Sequence, residues 1–95
     1  MKILHISKID NCAESQNAHD IYFTDIIGEE FIDKFSDVGK VVYSNISNKK
    51  YFRIIVKGKF TLKGFVNNSD FRILIADNLG SNFIEEIKEE INKRL

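Results

Sequence analysis

The feature that most constrains this chain is a two-residue alternation running from Tyr51 to Val66. The even positions read Phe52, Ile54, Val56, Gly58, Phe60, Leu62, Gly64 and Val66. The odd positions read Tyr51, Arg53, Ile55, Lys57, Lys59, Thr61, Lys63 and Phe65. Side chains of a strand alternate between two faces, so this pattern predicts β structure with one face buried. Gly58 marks a turn, and parity survives across it, so the loop must hold an odd number of residues. A three-residue loop, Lys57-Gly58-Lys59, pairs Val56 with Phe60 and Ile54 with Leu62 on one face. A two-residue loop would set Lys59 against Val56 and turn the apolar set of one strand outward.

A second turn is expected at Asn67-Asn68-Ser69-Asp70, whose residues bond their own main chain and tolerate tight geometry. Four loop residues keep Val66 and Phe71 on one face. The apolar set must then move to odd numbers, and Phe71, Ile73 and Ile75 do so, leaving Arg72 and Leu74 on the other face. With residues 41–46 upstream, this makes a meander of about four strands. Residues 2–7 and 21–24 read as two short strands. The polar stretch 8–20 between them reads as a loop, with a helical turn expected at 13–18. Loops of that length in a small domain are functional or mobile.

Two helices complete the pattern. Ile27, Phe31, Phe35 and Val38 form one stripe, with Thr24 or Asp25 as N-cap or a later start at Gly28. Gly39 is expected to end this helix in a left-handed conformation. Near the C-terminus, Leu79, Phe83, Ile87, Ile91 and Leu95 recur every four residues and Ile84 widens the stripe. Ser81 is the expected cap, with Asp77 and Asn78 as alternatives. Glu85 and Glu86 near the start and Lys93 and Arg94 near the end suit the helix dipole. Glu89–Lys93 and Glu90–Arg94 are spaced for ion pairs. The expected architecture is one α+β domain over residues 1–95, in the order β-β-α-β-β-β-β-α. It is an antiparallel β-meander sheet of about four to six strands with one face covered by two helices.

Composition narrows the function classes. A chain of 95 residues buries roughly two thirds of its unfolded surface, enough for one modest core. Fourteen basic residues balance fourteen acidic ones, so bulk charge points to neither nucleic acid nor membrane. A single cysteine, Cys12, cannot form an intrachain disulfide. The apolar run at the N-terminus is too short for a signal peptide, and no run reaches the ~20 residues of a spanning helix. The expectation is a cytoplasmic protein without membrane contact.

The neutral total hides a segregated distribution. Lys49, Lys50, Arg53, Lys57, Lys59 and Lys63 fall in a stretch with no acid, whereas most acids fall in the two helices. Parity sets Arg53, Lys57, Lys59 and Lys63 on the outward face with Tyr51, Ile55 and Phe65, and Arg72 can join them. Cations among exposed aromatics supply what single-stranded nucleic acid requires, phosphate neutralisation and stacking platforms. Lys63-Gly64-Phe65 is similar to the opening of an RNP1-type strand, but the aromatics that should follow are missing. The bland reading is a solvated face whose lysines discourage edge pairing. Ile55, Phe65 and Leu74 on the same face suit a second subunit, and two-fold dimers are the commonest small assemblies.

His5, Cys12 and His19 cluster in the first nineteen residues, but the spacing His-x6-Cys-x6-His fits no known ligand motif. The acid pairs fall on exposed helix faces, and there is no phosphate-cradling glycine loop or nucleophile motif. No cofactor is expected. The leading expectation is therefore a non-catalytic binding or regulatory module, homodimeric, of unknown ligand. The alternatives are a single-stranded nucleic-acid (RNA) binder and a small metal- or thiol-dependent protein using the N-terminal cluster.

Overall fold

The computed structural model describes residues 1–10, 17–80 and 82–95. In chain order the elements are β1 (Ile3–Ile9), β2 (Ala18–Phe23), α1 (Glu29–Asp33) running into a 3-10 turn (Lys34–Asp37), β3 (Lys40–Ile46), β4 (Lys49–Val56), β5 (Phe60–Phe65), β6 (Asp70–Ile75) and α2 (Phe83–Asn92). The six strands form one antiparallel sheet in the order β1-β2-β6-β5-β4-β3. This is the α+β architecture and element order that the alternation predicts.

The central register follows the parity argument. Val56 lies opposite Phe60 and Ile54 opposite Leu62. Residues 57–59 form the turn, with Gly58 at a φ of 76°, a left-handed conformation that glycine adopts without steric cost. Leu62 pairs with Ile73 and Phe60 with Ile75, so the switch to odd positions in β6 keeps the apolar set on one face. The β5–β6 loop covers residues 66–69, one residue earlier than expected. It is fastened to the segment before α1, since Ile27 N–H donates to the Asn68 carbonyl and Asn67 N–H to the Ile27 carbonyl, both at 2.8 Å.

Both helices pack on this face. Ile21, Phe23, Phe52, Ile54, Phe60, Leu62, Phe71, Ile73 and Ile75 from the sheet form one buried cluster. Ile27 precedes α1 in the same cluster, with Phe31, Ile32 and Phe35 from the first helical segment and Ile87 and Ile91 from α2. Among the described residues, the opposite face of the sheet carries no helix.

Several local expectations change. β1 reaches Ile9 and β2 starts at Ala18, so both ends of the stretch expected as loop are strand. The reason is tertiary: Ala18, His19 and Asp20 pair with Leu74, Ile73 and Arg72 of β6. Of the helical turn expected at 13–18, residues 13–16 lie outside the described residues, and Ala18 is strand. Thr24 and Asp25 do not cap α1. Gly28 holds the N-cap position without a side-chain bond, and the Thr24 hydroxyl instead accepts from the Lys2 N–H at 2.9 Å.

Gly39 is not left-handed. A Cβ there would lie 2.7 Å from the Ile55 carbonyl oxygen, so close backbone approach is what requires glycine. Val38 and Leu95, each 39% exposed, fall off the buried stripes because both helices end before them. Asn82 holds the N-cap of α2 without a side-chain bond, so Asp77 and Asn78 do not cap it. The expected cap Ser81 lies outside the described residues. Glu90–Arg94 pairs at 2.9 Å as expected, but Lys93 also takes Glu90, at 3.1 Å, rather than Glu89.

Candidate functional site

The uncovered face is organised in rows across the strands. Cross-strand register places Asp20 of β2, Arg72 of β6, Lys63 of β5 and Arg53 of β4 side by side, followed by Val42 of β3. Adjacent strands lie ~4.8 Å apart, so three cations stand on three neighbouring strands. Like charges directly opposite one another destabilise a sheet. Asp20 offsets one of them through a two-pronged bond from Arg72, at 3.0 and 3.3 Å. Arg53 is exposed and has no ion-pair partner among the described residues.

Aromatic side chains flank this row on one side. Tyr51 lies opposite Phe65, and their rings meet edge to face with centroids 5.0 Å apart. The Lys49 ammonium sits 6.0 Å from the Phe65 centroid. Further along, His5 stacks on Tyr22 at 6.0 Å and is hydrogen bonded to the Ser7 hydroxyl at 2.6 Å. A shallow cleft of about 280 Å³ opens between Tyr51, Phe65, Lys63, Asp70 and Arg72. On the other side of the cation row lie Ile9, Ala18, Leu74, Thr61 and Ile55, an almost wholly apolar row.

The structure thus brings together Tyr51, Arg53, Lys63, Phe65 and Arg72. Lys57 and Lys59 stand apart, exposed in the turn at the end of the β4–β5 hairpin. The sequence reading missed Asp20, Tyr22, Asp70 and His5 as members of this face. Its signal was available in β2, where Ala18, Asp20 and Tyr22 alternate with His19, Ile21 and Phe23.

His5 and His19 lie on opposite faces of the sheet. His5 is opposite Tyr22 on the uncovered side, whereas His19 is opposite Lys8 on the helix side. Cys12 lies outside the described residues. Among the described residues, no three of His, Cys, Asp and Glu gather where they could hold a metal ion. His19 is 6% exposed, and burial, with Lys8 beside it, lowers its pKa below the usual imidazole value.

The remaining well-ordered polar clusters are structural. Arg94 lies over the Phe35 ring at 4.6 Å and donates to both Asp37 carboxylate oxygens, to the Glu90 carboxylate and carbonyl, and to the Lys34 carbonyl. The Arg94 bonds hold Asp37 below the usual carboxylate range, and the Lys93 bond together with that of Arg94 does the same for Glu90. The Tyr43 hydroxyl donates to Asp33 at 2.6 Å, and burial together with that carboxylate raises its pKa well above the usual phenol value. Among the described residues no helix is long and apolar enough to cross a membrane. Compared with protein families, with curated proteins and with solved structures, the chain matches none.

Proposed function

We propose that this chain is a non-catalytic binding module whose uncovered sheet face takes single-stranded nucleic acid. The observation that carries the reading is the row Arg72–Lys63–Arg53 in cross-strand register beside the Tyr51–Phe65 pair, on a face that no helix covers among the described residues. Arg53 and Lys63 neutralise phosphates, with Lys57 and Lys59 extending the track past the hairpin end. Tyr51 and Phe65 offer ring surfaces to unpaired bases, which a duplex would keep stacked.

A labelled RNA or DNA oligonucleotide tests this by titration at several salt concentrations. Four phosphate contacts predict a log–log salt slope of about −3. Replacing Lys57 and Lys59 by glutamate weakens binding, and Arg53→Glu weakens it further. Unchanged oligonucleotide mobility at low salt ends the proposal.

A second reading, self-association, draws on the apolar row Ile9, Ala18, Leu74 and Ile55 on the same face. Ala18 is already fully buried, so a two-fold partner would cover the rest of that row but would also set the cation row against its own copy. The two readings respond oppositely to salt. Self-association through this face strengthens as ions screen the repulsion, whereas nucleic-acid binding weakens. Sedimentation across the same salt series separates them, and a clean monomer at all salts removes the dimer.

A further inference from the structure

Asp20 and Asp70 both lie on the uncovered face, among its cations, and they differ. Asp20 is held by Arg72 in a two-pronged bond at 3.0 and 3.3 Å. Asp70, half-buried at the start of β6, has neither a hydrogen bond nor an ion pair from its side chain among the described residues. It therefore does not fasten the turn that precedes it.

Asp70 lies in the row beside the cations. Lys63 is opposite Arg72, so Phe65, two residues after Lys63, and Asp70, two residues before Arg72, fall next to each other on this face. Tyr22 of β2 is opposite Asp70 on its other side. Adjacent strands lie ~4.8 Å apart, so the carboxylate stands between two aromatic residues. Each has a second ring beside it. Tyr51 meets Phe65 edge to face at 5.0 Å, and His5 stacks on Tyr22 at 6.0 Å. The cleft of about 280 Å³ opens here, lined by Tyr51, Phe65 and Asp70 together with Lys63 and Arg72. Lys49, near the Phe65 ring, lines a separate hollow.

An ionised carboxylate accepts hydrogen bonds and donates none, and it repels phosphate. In a cleft flanked by rings it favours the edge of a base that is rich in donors. Unpaired bases stacked on aromatic side chains are read along their Watson–Crick edges. Guanine presents two adjacent donors there, N1–H and the N2 amino group, which match the two oxygens of a carboxylate. Uracil presents one N–H between two carbonyls. Adenine and cytosine present one amino group beside a ring-nitrogen acceptor, which a carboxylate repels.

We infer that Asp70 makes this face prefer guanine. The base stacks on Phe65 and Tyr51, and its N1–H and N2 amino group donate to the two Asp70 oxygens. The inference rests on the nucleic-acid reading above and adds the base that the cleft takes.

The test compares short single-stranded RNAs, uridine throughout except for a central guanosine, inosine, adenosine or cytidine, with an all-uridine strand, by fluorescence titration of the full chain at low salt. Inosine keeps N1–H and lacks only the amino group. The guanosine strand binds about tenfold more tightly than the inosine strand, the value of one hydrogen bond to a charged group. The adenosine strand, with a purine of similar stacking area, binds more weakly than the inosine strand. Asp70→Ala binds the all-uridine strand more tightly, because a carboxylate is gone from among the phosphates, and loses the difference between guanosine and inosine. Equal affinity for the guanosine and inosine strands, tighter binding of the adenosine strand than of the guanosine strand, or an undiminished guanosine preference in Asp70→Ala would each overturn the inference, while salt-dependent binding without base preference leaves the nucleic-acid reading standing. Absence of binding by every strand ends both. The comparison of guanosine with inosine uses the unaltered chain, so it decides the matter whether or not the variant folds.

Discussion

Leu62 and Lys63 are neighbours in one strand, and they belong to two different economies of the molecule. Leu62 is fully buried under the helices, within a cluster of phenylalanines and isoleucines. Lys63 stands on the other face between two arginines. The same contrast separates two arginines. Arg94 is enclosed by an aromatic ring, two carboxylates and backbone carbonyls, whereas Arg53 is exposed without an ion-pair partner among the described residues. Arg94 is satisfied within the fold, whereas Arg53 belongs to the row on which the proposed function rests. The helix-covered side carries the core, and the other side carries the cation row.

Substitutions at adjacent positions can break this division. Leu62→Ala removes a fully buried side chain and is expected to cost about 3 kcal/mol in denaturant unfolding. Lys63→Ala next to it should change stability by less than about 0.5 kcal/mol while weakening oligonucleotide binding. Comparable losses of stability at both positions would mean that the two faces are not distinct. Arg94→Ala is expected to cost about 2 kcal/mol, because charged hydrogen bonds and the ring contact go together. Its nucleic-acid affinity should stay at the starting value.

Acidification sharpens the comparison through His19. Burial and Lys8 lower its pKa in the folded chain, so on acidification the unfolded chain takes up the proton first. The stability linked to His19 is complete above about pH 6.5 and is lost as pH falls below it. Unfolding measured between pH 7.5 and 5.5 should show that slope, and His19→Gln, which cannot take the proton, should flatten it. The smallest effect is expected at Arg53→Thr. Relief of repulsion from Lys63 raises stability by a few tenths of a kcal/mol, while oligonucleotide affinity falls. A gain in stability accompanied by a loss of binding is what separates a functional cation from a structural one.

Much of this was legible in local sequence, because a strand with one buried face writes its orientation at every second residue. Phe52, Ile54, Phe60 and Leu62 announced the covered side, and Gly58 announced the turn. The members of the open face within β4 and β5 followed by parity alone. What was hidden depends on distant partners. Ala18, His19 and Asp20 look like loop until β6 lies beside them. Gly39 looks like a helix stop until Ile55 is seen 2.7 Å from its missing Cβ. The Arg94 clasp joins residues 57 positions apart, from Asp37 to Arg94, so helix spacing revealed only its Glu90 half.

Chemical-shift mapping of the labelled protein with a short unpaired oligonucleotide at low salt tests the central claim most directly. The account predicts perturbations concentrated at Tyr51, Arg53, Lys63, Phe65 and Arg72, with the amides of α1 and α2 unmoved. Perturbations confined to the helices, with the cation row silent, would contradict it.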